Sequence, residues 1–469
     1  MISVRNRPLL SNGNNTTLFL FLFFYGLTFA CTTNRKVSVV PIKNTLDLSS
    51  DSRILREKTD TLPVFYHASE GSLPIGSDLV RKELPADEWQ ISRSKMASQK
   101  NFKIGFVLPF STENQLSGNI NNQYNPVSRW AMHYYTGAKI ALEKWKNKEI
   151  KFESFVWDSG VDTTGLKKNV LSDPRFLEFP LIIGPYHRDN IKYLGNYARE
   201  AGVLLFSPFS AAQQLAEENP FFYQVNPHLD IQISAIVAHV QQFASFDQVL
   251  ILQKESDSKL QDLFLQSFQS ASPNLLKDGL PSSLLLSSNT GTWSKNLYPE
   301  LAKREKLVVI ISSYSDEVFL NNLLQELNRE TVGKKEIVVY GLSPWMNADR
   351  IDYQLLESLN FHVASPHFID IQDDNVLAFQ RQFFNELGIL PQPEAFQAYD
   401  LVNLLMENWL ENADHFQERL ETFKKDSYLS SPYQFKKIKS SLTDVDEWQY
   451  NMNNKVMILK FSDFRWQKD

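Results

Sequence analysis

Two clusters of polar, turn-forming residues carry the chemistry that this sequence could perform. The first, Gly184-Pro185-Tyr186-His187-Arg188-Asp189-Asn190, follows the short apolar run Pro180-Leu181-Ile182-Ile183; the second, Ser207-Pro208-Phe209-Ser210, follows Val203-Leu204-Leu205-Phe206. Hydroxyls, an amide and aromatic rings in such places suit the capture of a small polar molecule by hydrogen bonding and stacking. Bond-breaking chemistry has little support. The chain lacks the G-x-S-x-G elbow, the H-E-x-x-H helix, the G-x-x-x-x-G-K-[ST] phosphate loop and the C-x-x-C pair. Its eight histidines are dispersed, and the closest two, His362 and His367, lack the spacing that would put a metal on one helix face. The expectation is therefore a protein that is not an enzyme and needs no cofactor and no metal. His187, at a strand end, has two readings, a ligand contact and a solvated loop histidine, of which the second is favoured.

The elements that must position these clusters are visible as a repeated unit. Each apolar run reads as a buried strand, and helical spacing follows the first cluster at Ile191, Leu194, Tyr197, Ala198 and Ala201. Strands alternating with helices form parallel sheets covered on both faces. In such sheets small molecules bind beyond the carboxyl ends of the strands, where helix N-termini point outward. Upstream, Lys103 to Leu108 is strand-like, and Pro109-Phe110 opens an Asn-rich loop of nearly twenty residues, a length that is usually functional. The helix after it places Tyr134, Ala138, Ala141 and Trp145 on one core-facing stripe.

The order of these pieces resembles the type 1 periplasmic binding proteins of the branched-chain amino acid receptor-like group. The resemblance runs from about Phe102 to Asp469: KIGFVLPF, YYTGAKIALEKW, FESFVWDSG, IIGPY, AREAGVLLFSPFSAAQQL and NPFFYQVNPHLDIQ as a first lobe, then ILQKESD, VVIISSYSD and VVYGLSPW as a second, and EAFQAYDLVNLL as the return. It implies an α/β fold of two Rossmann-like lobes with parallel central sheets, joined by a three-strand hinge and closing on a ligand between them. The expected division is lobe one at 101–225 and 363–430, lobe two at 226–362 and 431–469. By position in the family pattern, Tyr186, Asn190, Ser207 and Ser210 meet the ligand from lobe one. Glu255, Ser313, Tyr314 and Trp345 are assigned to lobe two from their strand-end positions alone. Each polar candidate has a competing reading as a turn or helix cap, for which Asp189, Asn190, Ser207 and Ser210 are suited; Tyr314 and Trp345 could equally be wall or core aromatics. Asp158 resembles a family position that caps a helix or orients a loop. Arg188-Asp189-Asn190 and Ser210-Ala211 stand where amino acid receptors of the family carry Ser or Thr and an Ala-Ser/Thr pair, which puts recognition of a free amino acid's carboxylate in doubt.

The N-terminus places the chain in the cell envelope. Arg5 and Arg7 precede an apolar core, Leu18 to Ala30, too short to span a membrane and fitting a signal peptide. Ala30 before Cys31, the only cysteine, resembles the lipobox of bacterial lipoproteins, which implies that residues 1–30 are a leader and Cys31 an acylated anchor; the competing reading is an ordinary signal peptide, or an uncleaved anchor, with a chance cysteine. With one thiol there is no internal disulfide. Residues 31–100 mix charge and scattered prolines without a sustained apolar period and read as a lipid-anchored tether, able to reach on the order of a hundred ångströms at roughly 3.3 Å per residue. The formal charge of −6 becomes −8 without the leader, 46 basic against 54 acidic residues, which disfavours nucleic acid as a partner. Two functions are left open by the resemblance. One is a periplasmic lipoprotein that binds a small polar, amino acid-like solute and serves an ABC permease, for which it must reach the inner membrane; the expected anchor, in the outer membrane rather than the inner, argues for the other. The other is a regulator of a peptidoglycan synthase, like the lipoprotein activators of penicillin-binding proteins, using the same body for docking.

Overall fold

The computed structural model describes residues 101–112, 125–213, 215–216, 218–257, 259–271, 279–314, 316–332, 336–423, 428–439 and 448–469. The leader, Cys31, the tether and most of the Asn-rich loop lie outside the described residues. Among those described, no helix is long and apolar enough to cross a membrane.

Two seven-stranded sheets organise the chain, in the order β11-β12-β5-β4-β3-β1-β2 and β14-β13-β10-β9-β8-β6-β7. The first sheet is built from β1 (Phe102–Leu108), β2 (Phe152–Asp158), β3 (Leu181–Ile183), β4 (Leu204–Ser207) and β5 (Phe222–Gln224). The second begins with β6 (Val249–Lys254), β7 (Ser282–Leu286), β8 (Lys306–Ile311), β9 (Glu336–Leu342) and β10 (Phe361–Ser365). Within each of these sets every pairing is parallel. The apolar runs of β3, β4, β6 and β8 are buried almost throughout because helices cover both faces, which is why they lack the alternation of a half-exposed strand. Both sets share one winding, with the second strand outside the first and the third on its other side, so the order reverses between β1 and β3 and again between β6 and β8. Ligands of open α/β sheets bind at such reversals.

The edges are mixed. Strand β11 (Phe435–Lys439) pairs antiparallel with β12 (Trp448–Asn453), and β12 lies parallel on β5. On the second sheet β13 (Met457–Ser462) runs antiparallel to β10, and β14 (Arg465–Lys468) antiparallel to β13. This corrects two expected boundaries. Residues 363–365 finish β10 in the second sheet, so the return to lobe one begins after Ser365. Residues 435–453, expected in lobe two from 431 onward, extend the first sheet, and the last crossing falls between Asn453 and Met457. The reason is a pairing more than two hundred residues distant in sequence: Asn451 and Met452 oppose Tyr223 and Gln224, and Asn451 Nδ2 donates to the carbonyls of Pro220 and Phe222.

Helices α1 (Pro126–Lys146), α2 (Arg188–Ala201), α3 (Leu229–Val240) and α4 (Pro393–Asn412) carry what concerns the site. The predicted stripe Tyr134, Ala138, Ala141 and Trp145 on α1 is buried in the core beneath the first sheet, together with Leu401 and Leu405 of α4. Gly137 lets the two helices touch: a Cβ there would stand 2.0 Å from the Ala395 carbonyl oxygen.

Candidate functional site

The site grows from the adjacent ends of β1, β3 and β4. After β3 the chain must turn against β1, and only glycine fits: a Cβ on Gly184 would lie 2.0 Å from the Val107 carbonyl oxygen, and its φ is +117°. The turn delivers Tyr186 and His187 and then α2, whose N-terminal backbone has no side-chain cap. Asn190, in the first turn of that helix, is 0% exposed, and neither its amide nitrogen nor its oxygen has a hydrogen-bond partner. Ser207, closing β4, is also fully buried with an unpartnered Oγ. Ser111, just past β1, has the left-handed φ of 54° and a buried, unpartnered Oγ. Buried polar groups left unbonded cost free energy; the end of β6 in the other sheet has two more, Gln253 Nε2 and Asp257 Oδ2.

Asp158, at the end of β2, holds the β1 loop in this conformation. Its carboxylate accepts from the backbone N–H groups of Ser111, Thr112 and Gly160 and from the Thr112 hydroxyl, at 2.8–3.0 Å. Burial opposes its charge, but these hydrogen bonds prevail and keep its pKa below the ordinary carboxylate value. The resemblance anticipated this loop-orienting role.

Beside the polar groups stands an aromatic cluster. Tyr186 stacks on Phe209 with ring centroids 3.8 Å apart, and Trp130 from α1 meets both edge-on at 4.9 and 5.7 Å. All three rings are half-buried. His187 Nε2 is buried and unpartnered, and burial lowers its pKa although Asp189 opposes the shift. The solvated histidine expected there is corrected: its ring lies edge-on to Tyr186, at 5.2 Å.

Of the lobe-one candidates, the structure gathers Tyr186, Asn190 and Ser207 with unspent hydrogen-bonding capacity or an aromatic face. Ser210 takes the competing role, its Oγ accepting the Ala212 N–H at 3.2 Å as in a turn. On the second sheet, Ser313 is fully buried and its Oγ accepts the Lys254 N–H at 2.8 Å. Trp345, 3% exposed, donates its indole N–H to the Ser313 carbonyl at 2.8 Å. These two join the ends of β6, β8 and β9 into one wall, and their polar atoms are engaged. Tyr314 is half-buried, its phenol pKa raised by burial and by Asp257. Glu255 is exposed in the turn after β6. Ser111 and Trp130 were missed in the sequence; the signal available was the strand end before the Asn-rich loop and the first turns of the helix behind it. Cavities of about 220 and 280 Å³ occur elsewhere, the first beside the crossings at Asp370, Tyr428 and Arg465, the second on the surface at Arg381 and Phe384.

The arrangement offers neutral donors and acceptors beside aromatic faces, which suit the binding and orientation of a polar molecule. A serine, histidine and aspartate do meet at the crossings, where His367 Nδ1 is 2.8 Å from Ser431 Oγ. There the carboxylate of Asp400 accepts from the N–H groups of Leu429, Ser430 and Ser431 and from Ser430 Oγ, not from the imidazole. Asp400, Ser430 and Ser431 are buried and His367 is half-buried, and the set works as a structural clasp.

Comparison with known proteins agrees with this fold. The model of the receptor family ligand binding region matches residues 167–427, more than half of the chain. Similar structures include a branched-chain amino acid ABC transporter protein from Rhodospirillum rubrum, at 13% identity and TM-score 0.54, covering 79% of this chain and 100% of that one. A substrate-binding protein from Desulfitobacterium hafniense in complex with leucine has 14% identity and TM-score 0.46, with coverage of 79% and 100%. No curated protein matches the chain. The chain belongs to the receptor family ligand binding region and has the two-lobed fold of the type 1 periplasmic binding proteins.

Proposed function

We propose that this protein is the ligand-binding body of an extracytoplasmic receptor, tethered to the envelope through Cys31, which takes a small polar, amino acid-like solute between its lobes without transforming it. The observation that carries this reading is the group of buried, unpartnered polar atoms on Asn190, Ser207 and Ser111, held at neighbouring strand ends next to the sheet's reversal point. In this reading Tyr186 and Trp130 supply the apolar side of the site, and Glu255 and Tyr314, from their places after β6 and β8, are the lobe-two groups that would meet the ligand. An ABC permease is the partner for such a receptor.

The test is native mass spectrometry of protein purified from its own envelope, followed by thermal shifts with amino acids, short peptides, sugars and wall fragments. A ligand at a hundredfold over its Kd adds about 2.7 kcal/mol of stability. A co-purifying small molecule or a shift supports the reading, and the absence of both across the panel refutes it.

One observation favours the second function. The contacts among Trp130, Tyr186 and Phe209 pack the rim of lobe one with the protein's own side chains. A body closed in this way would serve as a docking module, such as a regulator of a peptidoglycan synthase at the outer membrane. Retention of a purified synthase on the immobilised protein, with no solute bound, would select this function.

A further inference from the structure

The crossings between the lobes hold a buried polar chain that the solute site does not use. Gln224 is the last residue of β5, its Cα paired with Ser207 on one side and Met452 on the other. Its Nε2 donates to the carbonyls of Ser210 and Ala212, at 3.0 and 3.2 Å, in the loop that follows Ser207. That fixes the amide orientation and leaves Oε1 to face Nε2 of His228 at 3.2 Å. His228 immediately precedes α3, the first helix of lobe two, and its Nε2 also lies 3.2 Å from the hydroxyl of Tyr450 on β12, just before the last crossing. Gln224, His228 and Tyr450 are 0, 5 and 4% exposed, so water does not compete for these bonds. A separate bond from Asn226 Nδ2 to the Phe209 carbonyl, at 3.0 Å, holds the same loop without reaching His228.

One side chain therefore grips the site loop with its nitrogen and the hinge with its oxygen. We infer that Gln224 and His228 are positioning residues that couple the conformation of the 209–212 loop to the angle between the lobes, although neither need touch the solute. The inference rests on the assignment of that loop to the solute site. Coupling requires a physical element that both ends bias. Here it is a buried amide whose two ends cannot both keep their partners if the loop and α3 move independently.

The experiment uses the full chain carrying Cys31→Ser, spin-labelled at Leu177→Cys in lobe one and Val318→Cys in lobe two, both more than half exposed. Interlobe distances are read by pulsed electron resonance and loop amides by hydrogen exchange. With Gln224→Leu, amides of 209–213 should exchange on the order of tenfold faster, and the interlobe distance distribution should shift or broaden. Asn226→Ala, which loosens the same loop but spares the link to His228, should accelerate exchange and leave the distance unchanged. An unaltered distance in folded Gln224→Leu overturns the proposal and reduces Gln224 to a loop anchor. Should that variant not fold, His228→Leu removes the hinge end of the link and leaves Gln224 on the loop, and must shift the distance; no shift overturns the proposal equally. Neither readout needs a solute, so the coupling is judged apart from the receptor reading, which the solute panel decides.

Discussion

Replacing Asn190 by Leu should make the protein more stable and less able to bind. A buried donor or acceptor without a partner costs about 1–3 kcal/mol, and the Asn190 amide buries both kinds at 0% exposure. Leucine keeps the branched shape but adds bulk, and overpacking costs about 1–3 kcal/mol, so the net gain is about 1 kcal/mol. Ser207→Ala removes a second orphan group without added bulk and should gain about the same. In a chain of this size 1 kcal/mol raises Tm by about 2 °C.

The assay is the urea midpoint of each variant beside that of the unaltered protein, with titration of whichever solute the binding panel identifies. Both variants should move the midpoint upward and weaken binding at least tenfold, because a solute that had satisfied these groups would lose its partners. Functional groups held at the expense of stability show this opposition. A loss of more than about 1 kcal/mol in both variants would refute the reasoning, since it would mean that the amide and hydroxyl are bonded within the folded chain.

Other substitutions probe the frame. Gly137→Ala should destabilise the first lobe by about 1–3 kcal/mol, read as a lower Tm, because its methyl would meet the Ala395 carbonyl 2.0 Å away and force α1 from α4. At the crossings burial lowers the His367 pKa to about 4 and raises that of Asp400 to about 7, the latter against four hydrogen bonds. His367 alone makes stability fall as pH drops from about 6.5 to 4, because the unfolded chain takes up its proton first; Asp400 alone makes stability fall as pH rises from about 4 to 7. The slopes oppose each other, so His367→Gln should expose a stability that falls with rising pH, Asp400→Asn one that rises, and urea midpoints from pH 4 to 7 check both. Cys31→Ala should abolish incorporation of labelled fatty acid, and persistent labelling would refute the lipid anchor.

What could be read in the sequence and what could not divides along the range of the interactions. The strand ends at Gly184 to Asn190 and Ser207 to Ser210 were legible because apolar runs, a turn and helical spacing are local patterns. Ser210 was legible as a turn residue for the same reason, its Oγ bonding two residues ahead. The β11–β12 hairpin was not, since its place is decided by Asn451 meeting backbone carbonyls at Pro220 and Phe222. Nor could position separate Ser313 from Ser207. Both are fully buried serines at strand ends, and only the three-dimensional neighbours distinguish a hydroxyl accepting the Lys254 N–H from one with no partner.

That difference bears on mechanism. The Ser313 and Trp345 bonds tie strand ends within one lobe and so stiffen it as a body. The Gln224 chain runs across a crossing, from the site loop to the first helix of the other lobe. A receptor of two rigid bodies needs stiffness inside each lobe and its give confined to the connections, so that contacts made on closing are not dissipated in local rearrangement. In this chain unbonded groups stand at strand ends of both lobes, at Ser111, Asn190 and Ser207 in the first and at Gln253 and Asp257 in the second, whereas the bonded Gln224 chain sits beside a crossing. On the proposed reading binding and hinge are served by separate residues, and a substitution in one set should change affinity through contact while one in the other changes it through the population of closed lobes.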